Sequence, residues 1–158
     1  MFDPINYFKA LTQSLKLTKD KYHFTKVSGL DKLEGILSAR KEYSHFIAVD
    51  DTENGAFLRG GGGGFFDRRP STIFICAALD IKDPSKRESL LNEFRSIHKS
   101  FVSKLIRDKN DNGLVLMDFS RIPYYEMPSY FANGCIGIYF MIHRDEPTNL
   151  TYNESEWE

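Results

Sequence analysis

Residues 83–108, DPSKRESLLNEFRSIHKSFVSKLIRD, decide how the rest of the chain has to be arranged. Asp83 is placed to accept hydrogen bonds from the free backbone N–H groups of a first helical turn. Pro84 suits the first helical position, which needs no N–H. Leu90, Leu91, Phe94, Ile97, Phe101, Val102, Leu105 and Ile106 then recur at steps of three and four, one apolar stripe on a helix of about 84–107. Lys86, Arg87, Glu93, Arg95 and Lys99 lie away from the stripe. At ~1.5 Å per residue the helix runs to roughly 35 Å, about the width of a small domain. Such a stripe needs a flat apolar partner, and the flanking stretches STIFICAALDI and GLVLMDFS read as the strands that supply it. The pattern predicts a helix lying on a sheet.

A chain of 158 residues with 41% hydrophobic and 27% charged residues reads as one globular domain with a sizeable core. A formal net charge of −1 supplies no electrostatic drive toward nucleic acid or an anionic membrane, so neither is an expected partner. No stretch approaches the ~20 apolar residues of a membrane span. The opening MFDPINYFKALTQSLK has neither the basic start nor the apolar block of a secretory signal. Cys76 and Cys135 each sit in an apolar run and read as buried free thiols.

Working outward, Asp3-Pro4 repeats the helix-start pattern, and Ile5, Phe8, Leu11 and Leu15 predict an N-terminal helix to about Leu17, packed on the same sheet. YHFTKVSG alternates as a strand. LDKLEGILSA, residues 30–39, fits either a short helix or a turn-rich connection. SHFIAVDD is a strand ending in Asp50-Asp51. An ENG turn at 53–55 and five glycines at 60–64 then bracket a long flexible hairpin around residues 55–69, with Arg59, Arg68 and Arg69 beside its tip. Residues 71–81 are apolar on both faces, as a central strand is. LVLMDF, YYEMPSY and CIGIYFMI read as the last strands, and residues 145–158 as an acidic tail with no Lys or Arg. The expectation is a single α+β domain over 1–158 with a mostly antiparallel sheet.

No stretch carries catalytic chemistry. The glycines precede Phe65-Phe66-Asp67, without the GK[ST] of a phosphate loop or a following helix, so they read as a hairpin tip. Asp50, Asp51 and Glu53 have the oxygens to hold a hard cation, but a strand running into a polar turn accounts for them as well. His23, His45, His98 and His143 show no ligand spacing, and no base neighbours Cys76 or Cys135 in sequence. The expectation is no enzyme, no metal and no cofactor. Tyr124, Tyr125, Tyr130 and Phe131, with Met127 and Pro128 between them, form an aromatic patch. It suits either the core of a protein interface or a hairpin turning its rings into its own core.

The order of elements resembles that of the tail terminator and tail-completion (head–tail joining) proteins of long-tailed bacteriophages. SHFIAVDDTENGAFLR, NEFRSIHKSFVSKL and FANGCIGIYFMIHRDEP carry the likeness, which covers residues 2–144. The Gly60–Gly64 run is not a hallmark of that family. The resemblance implies a prophage-encoded structural subunit that forms a ring where tail tube meets head or neck. Its partners would be further copies of itself and tail-tube or neck proteins. It would be found in the bacterial cytoplasm during assembly and in the virion afterwards. Arg59, Arg68, Arg69, Tyr124, Tyr125, Tyr130 and Trp157 are then the expected interface residues. A stand-alone protein-binding or regulatory module of the same shape is the other reading.

Overall fold

Both Asp-Pro pairs open helices. A computed structural model describes residues 2–29, 32–33, 35, 44–52, 54–78, 83–114, 117–127 and 134–157. Helix α1 spans Pro4–Ser14, and the Asp3 carboxylate accepts from the Asn6 N–H at 3.1 Å. It stops short of Leu17 because Leu15 takes extended dihedrals and the Thr18 hydroxyl satisfies the Thr12 carbonyl at 2.7 Å. Among the described residues, six strands follow the sequence order β1 (His23–Val27), β2 (His45–Asp50), β3 (Ala56–Arg59), β4 (Phe65–Ala78), β5 (Tyr124–Glu126) and β6 (Cys135–Thr148). Helix α2, Pro84–Asp108, lies between β4 and β5 in the chain, and the Asp83 carboxylate accepts from the Ser85 N–H at 3.1 Å.

The six strands form one sheet in the order β1-β2-β4-β6-β5, with β3 also paired to β4. Among the described residues only β1 and β2 run parallel and the other four pairings are antiparallel, so the fold is α+β with a mostly antiparallel sheet. The hairpin arm FFDRRP and the apolar stretch after it, separate elements on sequence pattern, are one 14-residue strand. Pro70 is tolerated inside it for a reason the ladder makes plain. Gly60 N–H donates to the Gly64 carbonyl and Ala78 N–H to the Ser44 carbonyl, so the even residues of β4 present their backbone groups to the β2/β3 side. Pairing with β3 ends at Arg68 and pairing with β2 begins at Ile73. The missing proline N–H therefore faces a gap between two strands.

The odd residues of β4 face the helices. Ile73, Ile75 and Ala77 join Ile47, Val49, Ile138, Phe140 and Ile142 beneath Phe8 and Leu11 of α1 and Leu91, Phe94, Ile97, Phe101 and Leu105 of α2. Ile106, part of the sequence stripe, is exposed. Two tyrosines fasten α2 at its rim. The Tyr22 hydroxyl donates to Glu93 at 2.7 Å and the Tyr7 hydroxyl to Asp108 at 3.0 Å. On the opposite face, Val27, Leu33, Phe46, Ala48, Phe74, Cys76, Met127 and Cys135 make a second, smaller cluster, and both cysteines are buried and free. Of LVLMDF, Leu114 and Met117–Phe119 lie in no strand, and residues 115–116 fall outside the described residues. Most of the 30–39 stretch and residues 79–81 fall outside them too, although Lys32, Leu33 and Gly35 are helical.

The hairpin tip is tight rather than extended. Gly60 N–H donates to Gly64 at 2.7 Å and Gly63 N–H to Gly60 at 3.0 Å. Gly63 has φ +87°, which favours glycine, and a Cβ on Gly60 would sit 2.5 Å from the Phe66 ring. Gly61, Gly62 and Gly64 donate no tip hydrogen bond, so their amides are expected to exchange fast while Gly60 is slowed. Strong protection of Gly61 and Gly62 in the isolated protein would show that the tip is packed already.

Candidate functional site

Arg59, Arg68 and Arg69 do not form a free basic cluster. Arg68 grips Asp145 with Nε and Nη2, both at 2.7 Å, and this pairing raises the Arg68 pKa. Arg69 donates from Nε to Asp67 at 2.9 Å. Arg59 is exposed at the end of β3, opposite Phe65. Phe57, two residues earlier on the same face, is 62% exposed, which the sequence reading did not single out.

Tyr124 and Tyr125 lie on β5, at the sheet margin, and both are exposed; Tyr130, Phe131 and Pro128 fall outside the described residues. Tyr125 packs on Tyr139 at 5.4 Å between ring centroids, and Tyr139 on Phe74 at 5.9 Å. Glu126 ties β5 to α2 through Arg87 at 2.9 Å and Arg95 at 3.5 Å. Tyr125 thus rests against the sheet and is still exposed, so the described part of the patch has a feature of each reading. Beyond β5 the outer edge of β6, from Met141 to Pro147, has no strand beside it among the described residues.

The chain matches no protein-family model and no curated protein.

Tyr124 covers His98, whose ring lies 5.1 Å from it and 4.6 Å from Phe140. His98 Nε2 is buried without a hydrogen-bond partner, and burial lowers the imidazole pKa. The unfolded imidazole takes up a proton near pH ~6.5 while the folded one resists it. Stability from this group is therefore fully present above that pH and lost as the pH falls through it. Urea titrations across about pH 5 to 7 are expected to show a positive stability slope of at most ~1.4 kcal/mol per pH unit from His98. His98→Leu is expected to reduce the slope, and an unchanged slope would assign it elsewhere.

The remaining candidates are committed to structure. Asp50 accepts from the Gly29 and Thr52 N–H groups, and Asp51 pairs with Ser28 and Lys26; Glu53 falls outside the described residues. Among the described residues, no group of three or more His, Cys, Asp or Glu is arranged to hold a metal ion. No helix among them is long and apolar enough to cross a membrane. Burial pushes up the thiol pKa values of both Cys76 and Cys135, which disfavours the thiolate.

Among the described residues, the two roomiest depressions and one projection bear on binding. A cavity of about 670 Å³ near the start of α1 contains Arg144, whose Nη1 donates to the Phe2 carbonyl at 2.9 Å and whose Nε has no partner. A groove of about 690 Å³ between α1 and α2 is lined by Leu11 and Leu15 from the α1 side and by Lys99, Phe101, Lys104 and Arg107 of α2. Beyond β6, a 3-10 turn at Glu154–Glu156, capped by Asn153, stacks Tyr152 on Trp157 at 6.0 Å and 24°. These rings are 69% and 68% exposed. Sequence reasoning found Trp157 but not the groove. Lys99 and Arg107 look like any solvated helix face until α1 is laid beside them.

Proposed function

We propose that this chain is a structural component of a phage or phage-tail-like particle, of the tail terminator, tail-completion or neck type, acting through protein–protein contacts. The observation that carries the reading is the placement of the exposed aromatic side chains. Phe57 and Phe65 lie at the hairpin, Tyr124 and Tyr125 at the β5 margin, and Tyr152 and Trp157 beyond β6. Aromatic side chains are what interface cores prefer, and separate patches are what a ring subunit with a neighbour on each side requires. The likeness in element order supports the same reading, with copies of itself and tail-tube or neck proteins as partners. In this reading the subunit waits in the bacterial cytoplasm until a tube offers a template, because contacts below ~1,200 Å² hold weakly alone.

The test is to incubate the protein with assembled tail tubes and look for it at their ends by electron microscopy. Deleting the gene is expected to leave tails of abnormal length or tails that fail to join heads. Normal tails that join heads after deletion, with no tube association, would replace this reading with a stand-alone binding module.

A further inference from the structure

We infer that the acidic aromatic segment beyond β6 of one copy docks in the α1–α2 groove of a second copy, a head-to-tail contact. The inference rests on the structural reading above and names the contact that would join neighbouring subunits. The segment after residue 148 carries Glu154, Glu156 and Glu158 and no Lys or Arg. The groove carries Lys99, Lys104 and Arg107. Lys104 is held by Asp108 at 2.6 Å, whereas Lys99 and Arg107 are exposed and have no ion-pair partner among the described residues. Charge is therefore complementary, and the half-buried Leu15 side chain is the partly open apolar member of the groove, Leu11 and Phe101 being buried.

The donor is organised before it binds. Asn153 Oδ1 accepts from the Ser155 N–H at 3.3 Å and its hydroxyl at 2.8 Å. Trp157 N–H donates to the Glu154 carbonyl at 3.2 Å. The stacked Tyr152 and Trp157 rings thus need little further ordering, which lowers the cost of association. The arginines nearest the hairpin are poor acceptors for this segment, because Arg68 and Arg69 already hold Asp145 and Asp67. The groove and the segment are different surfaces, so each copy can give one contact and receive one. That is the heterologous arrangement from which rings close.

Trp157 is the chain's single tryptophan, so its emission reports this segment alone. Emission and sedimentation would be followed in the full chain from micromolar concentration to about 1 mM, the weak end of specific association. The expected result is a blue shift and growth in mass that rise together with concentration and fall with salt. Lys99→Glu with Arg107→Glu, and separately Glu154→Lys with Glu156→Lys, are each expected to weaken association about tenfold or more. Circular dichroism checks that both variants fold, as expected for exposed positions. Mixing the two variants is expected to restore association, since the unaltered segment of one meets the unaltered groove of the other and the reversed groove and segment are again opposite in charge; no recovery on mixing would overturn the inference.

A blue-shifted tryptophan independent of concentration would mean that the segment docks on its own chain, which overturns the inference. So would solvent-like emission throughout, or association unchanged in both variants. Tube capping that survives loss of residues 149–158 would remove this contact and leave the proposed function standing. Head-to-tail association without any tube capping would do the reverse.

Discussion

Replacing Phe101 with alanine is expected to cost about 3–5 kcal/mol of folding free energy, the largest loss we anticipate from a single side-chain truncation. Phe101 is 1% exposed, packs 5.6 Å from the Phe8 ring, and sits where α1, α2 and the sheet meet. Removing the ring leaves a cavity walled by three elements that cannot all move inward together. Ile106, five residues along the same helix, is exposed, and its truncation is expected to be close to neutral. Denaturant titrations of the two variants check the pair. A near-neutral Phe101→Ala would mean that the helix rests on a different face.

Gly137→Ala comes next, at about 3 kcal/mol, the upper end of what overpacking costs. A methyl group there would lie 2.6 Å from the Ile75 carbonyl oxygen, 2.7 Å from Met127 Sδ and 2.9 Å from Cys76 Cβ. Met127 is a flexible side chain able to yield, but the Ile75 oxygen belongs to the backbone of β4 and moves only if the central ladder moves. The expected signature is a lower denaturant midpoint with Met127→Ala giving partial relief in the double variant. Full rescue by Met127→Ala would show that the side chain, not the ladder, is the obstacle.

How much of this could be read from the residues follows from where the information is local. Asp-Pro starts and a repeat of three and four announce a helix within one segment, so α1 and α2 were visible. The alternation of β1 and the two-sided apolar run of β4 are equally local. What stayed hidden depends on partners distant in sequence. Pro70 reads as an interruption until β3 and β2 are seen to share one edge of β4 with a gap between them. The parallel pairing of β1 with β2 leaves no mark in either strand. Arg68 looks free beside a glycine run, because Asp145 lies on a strand far along the chain. The groove is the extreme case, since it exists only when two helices lie side by side.

The long pairing of β4 with β6 bears on how the protein is made. These strands match over their full length, from Phe65 with Thr148 to Ala78 with Cys135, and the whole of α2 intervenes between them. Closing so distant a ladder demands a large loop-closure entropy before any contact rewards it, so this topology sets a slow folding step. During synthesis β4, apolar on both faces over its second half, emerges well before β6 and waits with one edge bare. The nascent chain therefore passes through an interval in which its stickiest strand is complete and unmatched. Yield in a cell should depend on how quickly the ribosome covers the stretch from α2 to β6, and on whatever chaperone holds β4 until it does.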